Sequence, residues 1–141
     1  MKTQQITANW NTDLNFTSTG PGGEITLDGS DTLEGEQSKG LRPKALMLTS
    51  LAGCTGMDIV SLLKKMRAEV ENFKIEVSGE LTEEHPKYYH KVNMTFKFYG
   101  KDFKKDKIEK AIKLSEERYC GVLEMFRQFA DVSFDIQYFE E

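Results

Sequence analysis

Apolar and polar positions along the chain fall into two periods. Across residues 41–70 the period is helical: Leu48, Leu51 and Ala52, then Ile59, Leu62, Leu63, Met66 and Val70, recur three and four apart. Pro43 suits the first turn of such a helix, where its missing N–H would have no partner in any case. Upstream, residues 3–10 set Ile6, Ala8 and Trp10 against Gln5, Thr7 and Asn9, a half-buried strand. Residues 11–13 are turn-like, and Leu14-Asn15-Phe16 reads as a short second strand. Gly20-Pro21-Gly22-Gly23 then predicts a tight turn into a third strand over 24–28. Three such strands make an antiparallel meander. Residues 29–40 are polar and glycine-rich, a surface loop leading to the helix.

After the helix the period drops to two. Phe73, Ile75 and Val77 alternate with Lys74, Glu76 and Ser78; beyond a charged loop at 82–87, Val92, Met94, Phe96 and Phe98 do the same. Residues 104–130 return to helical spacing in two stripes, one of Ile108, Ala111, Ile112 and Ser115, the other of Val122, Met125, Phe126 and Phe129. The stripes meet at Tyr119-Cys120-Gly121, a predicted helix junction. Asp106 and Glu109 have the spacing of a capping box at the start of this region. Val132, Phe134, Ile136 and Tyr138 alternate in a last strand.

The order predicts an α+β fold over a single domain, residues 1–141. Its mostly antiparallel sheet would pack on a long central helix and a C-terminal helix pair. The central helix is apolar over a wide arc, which predicts that part of it is shared with a second subunit in a homodimer.

Composition narrows the class. The chain has 141 residues and a formal net charge of -4, with a pI near 5.3. That balance argues against nucleic acid or an anionic membrane as partner. No apolar run reaches the roughly 18–20 residues that span a bilayer. The N-terminus lacks the apolar middle of a signal peptide. The expectation is a cytoplasmic protein, where thiols stay reduced. Its two cysteines then need a role other than a static bridge, although such a bridge would be worth roughly 4 kcal/mol in the loop-entropy model.

Both cysteines neighbour glycine. Cys54 lies within Ala52-Gly53-Cys54-Thr55-Gly56, where two glycines weaken the helix by about 1 kcal/mol each relative to alanine. One reading is that Cys54 and Cys120 pack as small hydrophobes; the other is a redox pair. A helix restarting near Cys54 would favour its reactive thiolate, whereas an unbroken helix from Pro43 would not, and Asp58 one turn on opposes it by like charge. His85 and His90 lack zinc-ligand spacing relative to the cysteines, so no metal ligand and no cofactor is assigned. Glu83-Glu84, Glu116-Glu117 and Lys104-Lys105 read as solvated faces. Ser50 and Ser61 belong to no hydrolase motif, and no phosphate-binding loop is present.

The segment from Arg42-Pro43-Lys44-Ala45-Leu46 to Leu51-Ala52-Gly53-Cys54-Thr55-Gly56-Met57-Asp58, with Arg118-Tyr119-Cys120 downstream, resembles the OsmC/Ohr family (osmotically inducible protein C and organic hydroperoxide resistance). It is most similar to the less characterised OsmC-like members. The resemblance implies an intertwined homodimer in which Cys54 attacks an organic hydroperoxide and Cys120 resolves it, with a dithiol as reductant, lipoylated proteins in some branches. Two positions depart from the hydroperoxide-reducing branches. Lys44 stands where they carry a glutamate, and the first arginine is Arg42, whereas theirs lies in the N-terminal strands. Two functions therefore stay open: a thiol peroxidase, and a slow or non-catalytic protein that binds an apolar small molecule or senses redox state. In the first, a pocket walled by residues such as Met57, Val122 and Met125 would favour alkyl or lipid hydroperoxides.

Overall fold

A computed structural model of the chain describes residues 1–32, 35 and 37–141. It has the α+β class read from the sequence, with the strands divided between two three-stranded sheets. The chain forms two compact units, Met1–Met47 and Leu48–Glu141.

The first unit is the meander. Strands β1 (Thr7–Thr12), β2 (Asn15–Gly20) and β3 (Gly23–Asp28) pair antiparallel in sequence order. Gly20 pairs with Gly23 across a two-residue turn, and Gly22 takes the left-handed φ of +90 that a side chain would resist. Leu14, predicted in the second strand, instead forms the first turn with Asp13. The half-buried first strand is corrected too: all six residues of β1 are exposed, and Trp10 is 66% accessible. Alternation predicts two faces, but a lone three-stranded sheet has no second layer within this unit to bury one. Asp28 closes the meander, accepting from Asn15 Nδ2, from the Ser30 backbone N–H and hydroxyl, and from the Lys39 N–H. These bonds, that from the Ser30 hydroxyl foremost, hold its carboxyl far below the usual range. Ser30–Thr32 forms a 3₁₀ turn in the predicted loop, of which residues 33, 34 and 36 lie outside the described residues.

The second unit holds the core. Strands β4 (Asn72–Leu81), β5 (Tyr89–Gly100) and β6 (Asp131–Glu140) lie in that order, β4–β5 antiparallel and β5–β6 parallel. A parallel pair needs a long crossover, which the predicted helix pair supplies. It consists of α2 (Lys105–Leu114), a π-helical turn at Ser115–Tyr119, and α3 (Gly121–Arg127). Val92, Met94, Phe96 and Phe98 of central β5 are buried against Leu51, Ile59, Leu63, Ile108, Ala111, Leu123 and Phe126. The predicted capping box at Asp106 and Glu109 does not form: Lys104 is the N-cap, without a side-chain hydrogen bond. Asp106 lies two positions past the N-cap, too deep to cap, and instead sits in the first turn, where the helix dipole favours it.

The long helix α1 (Pro43–Lys65) begins at its predicted proline and runs without a break past both glycines. Of the two readings left open at Cys54, a restarting helix and an unbroken one, the unbroken helix is found. Two glycines cost about 2 kcal/mol in propensity, less than the packing of Leu51, Ile59 and Leu63 on both sides recovers. Gly56 also has a packing role, since a Cβ there would stand 3.3 Å from Ile75 Cδ1. The helix stops five residues short of Val70. Arg67 takes φ +54, the Arg67 N–H donates to Lys64 O and the Ala68 N–H to Leu63 O, a Schellman cap sealed by buried Leu63 and Ala68. Lys104 and Lys107 donate their ammonium groups to Arg67 O and Met66 O at this end. Against the expectation that no apolar run reaches spanning length, the 23-residue α1 is long and apolar enough to cross a membrane by length and composition.

Candidate functional site

Unbroken, α1 carries Cys54 at its middle, beyond reach of the N-terminal dipole. It carries Asp58 one turn later on the same face. Along its buried stripe Leu51, Thr55, Ile59 and Leu63 follow at intervals of four, so a hydroxyl sits among aliphatic side chains. Such a group needs a partner, and Thr55 Oγ1 finds Cys120 Sγ at 3.2 Å.

Cys120 occupies the junction predicted for it. The π-helical turn ends with the Cys120 N–H donating to Ser115 O at 2.9 Å, and α3 starts with Cys120 as N-cap. Its sulfur accepts the Leu123 N–H at 3.4 Å. Ser115, fully buried, donates its hydroxyl to Asp58 Oδ2 at 2.8 Å. One donor atom each from Cys54, Asp58 and Cys120 thus lies within 4.8 Å of the other two. Both cysteines are free thiols, Cys54 half-buried and Cys120 buried.

Burial is the main force pushing the Cys120 thiol up, and the neighbouring Cys54 sulfur and its charge add to that. The Thr55 hydroxyl and the Leu123 N–H pull the other way without reversing it. The resting form of Cys120 at neutral pH is the protonated thiol.

Met57, one turn after Cys54, is 77% exposed, and Met125 is 65% exposed; Val122 packs partly against the core. A cavity of about 150 Å³ adjoins Asp58, lined also by Ser61, Leu62, Lys65 and Tyr119. His90 faces Glu80 at 3.5 Å, and neither histidine joins the cysteine–aspartate cluster. Arg42 is engaged by Asp31 through its Nη1 at 2.9 and 3.1 Å. Two functional candidates escaped the sequence reading. Thr55 could have been found as the one polar residue on the buried stripe of α1. Ser115 stood in a predicted stripe, but its tie to Asp58 needs the tertiary fold.

Residues 35–135 match the family model described as OsmC-like protein. The chain is 28% identical over 130 residues to Protein YhfA of Escherichia coli strain K12, covering 92% of this chain and 93% of that protein. The crystal structure of a hypothetical protein from Aquifex aeolicus VF5 superposes with a TM-score of 0.87 at 32% identity, over 100% of this chain and 99% of that one. The organic hydroperoxide resistance protein OhrB of Bacillus subtilis superposes with a TM-score of 0.66 at 18% identity, over 96% and 98% of the two chains, a likeness of fold alone. With the family model matching most of its length, helix and cysteine junction included, this chain belongs to the OsmC-like family.

Proposed function

We propose that the protein is a thiol peroxidase that reduces organic hydroperoxides with Cys54 as the attacking and Cys120 as the resolving cysteine. The observation that carries this reading is the approach of the two sulfurs, within 4.8 Å although 66 residues apart in sequence. The half-buried thiol meets the peroxide and the buried one waits behind it. The Cys54 thiolate attacks the peroxide oxygen, the O–O bond breaks, Cys54 becomes a sulfenic acid, and the alkoxide leaves to be protonated as the alcohol. The Cys120 thiolate then attacks the Cys54 sulfur, forming the disulfide and expelling hydroxide, which leaves as water. A dithiol re-reduces the bridge by exchange and is itself oxidised to a disulfide.

The working form is a homodimer, with residues 1–141 of each chain acting as one domain. Two exposed apolar surfaces support this. Only 22% of the apolar window of α1 is buried within one chain, and the meander unit exposes Ile6, Trp10 and Phe16. Exposed apolar surface of this kind supports an interface. Sedimentation equilibrium at micromolar concentration should give twice the 16.1 kDa chain mass; a monomer there removes the dimer. The cytoplasm, with its reducing thiol pool, is the compartment in which the cycle runs.

The decisive assay is consumption of an alkyl hydroperoxide by purified protein with dithiothreitol present. Wild type should turn over and Cys54→Ser should not. Peptide mapping after one equivalent of peroxide should find both thiols consumed in an intramolecular disulfide, and a Cys54 that stays free sinks the assignment. A second reading is favoured by Lys44 at the family's glutamate position and by the pairing of Arg42 with Asp31. Here the chain binds an apolar small molecule or senses redox state, and oxidation in the same assay stops after one equivalent.

A further inference from the structure

The geometry points to a binding site for a thiophilic divalent cation, of which zinc is the type, formed in the reduced protein by Cys54 Sγ, Cys120 Sγ and a carboxylate oxygen of Asp58, with a fourth position left to solvent. The three donor atoms lie within 4.8 Å of one another. A tetrahedral zinc ion with Zn–S of about 2.3 Å and Zn–O of about 2.1 Å needs donor separations of roughly 3.6–3.8 Å. Side-chain rotation alone closes a gap of that size.

The supports of the site are those of a metal centre. Cys54 and Asp58 stand four apart on one rigid helix and present their side chains from one face, while Cys120 comes from the start of another helix. Each of two donors has an orienting partner: the Ser115 hydroxyl holds one Asp58 oxygen at 2.8 Å, and the Leu123 N–H and Thr55 hydroxyl hold the Cys120 sulfur. Two thiolates with one carboxylate select zinc-like ions over magnesium or calcium, which prefer oxygen donors only. Binding replaces the two thiol protons, which pass to the solvent. Oxidation of the pair to a disulfide removes two of the three donors and releases the ion. Cation and peroxide therefore compete for the same sulfurs. The site requires only reduced thiols and does not rest on peroxide turnover.

The test is a Co²⁺ titration of the reduced full-length protein under anaerobic conditions, followed by Zn²⁺ displacement and competition with a chromophoric chelator. Expected are thiolate-to-cobalt charge-transfer and tetrahedral d–d bands that saturate at one ion per chain. Protein oxidised to the disulfide should show neither. Asp58→Asn keeps both thiols and should bind Zn²⁺ at least tenfold more weakly. Ser115→Ala should lose about tenfold through its loss of orientation. The His85→Ala/His90→Ala double variant should titrate as wild type. The inference is overturned if charge-transfer bands do not appear, if Asp58→Asn binds as tightly as wild type, or if the histidine variant abolishes binding. Hydroperoxide consumption measured separately in chelator keeps the two readings apart. Turnover by a protein that binds no cation overturns the site alone, and cation binding without turnover supports the site while removing the peroxidase.

Discussion

The Ser115 hydroxyl donates to the Asp58 carboxylate across 2.8 Å, tying the π-helical turn to the middle of α1. The same residue accepts the Cys120 N–H on its carbonyl. One buried serine thus fixes the carboxylate beside Cys54 and the backbone that aims Cys120. An ordinary α-helical turn would continue from α2 through residue 120. The wider turn ends the helix there and lets a new one begin with Cys120 as its cap.

Ser115→Ala should accordingly lower stability by about 1.5 kcal/mol, the low end for a hydrogen bond to a charged group, because part-buried Asp58 regains some solvent. Urea unfolding measures it directly. A change below about 0.5 kcal/mol would mean that Asp58 finds an equivalent partner.

Much of this was legible in the sequence. The period-two runs at 73–77, 92–98 and 132–138 are strands, and the proline start of α1 and the junction at Cys120 stand where the pattern put them. Failures came where tertiary context outweighs local preference. Gly53 and Gly56 left a break and a continuous helix equally readable, and an apolar face buried on both sides of them carried the helix through. The exposed β1 could not be foreseen either, because alternation says that a strand has an apolar face and not whether its own chain covers it. Thr55 on an otherwise aliphatic stripe was a readable anomaly. Its partner, 65 residues away, was not.

Tyr138 offers a stabilising change. Its ring packs on Phe98 and Phe103 with the Lys105 ammonium 4.7 Å above it, while its hydroxyl, near the Glu109 carboxylate, is buried without a hydrogen bond of good geometry among the described residues. Burial, with the Glu109 charge second, pushes the phenol up from 10.0 to about 12. Between those values the folded state keeps a proton that the unfolded chain releases, so stability falls as pH rises through that window. Tyr138→Phe should raise stability by about 1 kcal/mol at neutral pH. It should also flatten the decline between pH 10 and 12, leaving the slope due to the other groups raised in the folded state, Tyr89, Lys74 and Cys120. Parallel urea titrations at pH 8 and 11 test both effects, and an equal decline in variant and wild type would show that Tyr138 is not its source.

Substrate choice follows from the exposed side chains of Met57, one turn after Cys54 on α1, and of Met125 on α3. Each buried methylene of a ligand is worth about 0.8 kcal/mol. Two of them give a preference of about fifteenfold, and three of about fiftyfold, in kcat/KM for an alkyl hydroperoxide over hydrogen peroxide. Equal values for the two oxidants would show that no apolar contact is made in the transition state.

The closing of the disulfide should depend on pH through Cys120. Burial raises its thiol above 9.0, so the attacking thiolate is a minor species at neutral pH. Its fraction grows tenfold with each step of one in pH until the pKa is reached. After rapid oxidation of Cys54 by one equivalent of alkyl hydroperoxide, loss of the sulfenic acid should therefore accelerate steadily from pH 6 to beyond pH 9. Thr55 is the residue to perturb, because its hydroxyl at 3.2 Å holds the thiol down against burial and valine preserves its shape. Thr55→Val should push the Cys120 thiol further up. Every tenfold loss of thiolate at a given pH is partly offset, because a more basic thiolate is a better nucleophile. With a Brønsted slope of about 0.4–0.5, the offset is roughly threefold. The net expectation at pH 7 is closure about threefold slower for each tenfold loss of thiolate, with the rise displaced to higher pH and attack on peroxide by Cys54 unaffected. Stopped-flow trapping of the sulfenic acid across the pH range reads each of these. A Thr55→Val profile that overlays wild type would mean that the hydroxyl donates nothing to the sulfur that attacks.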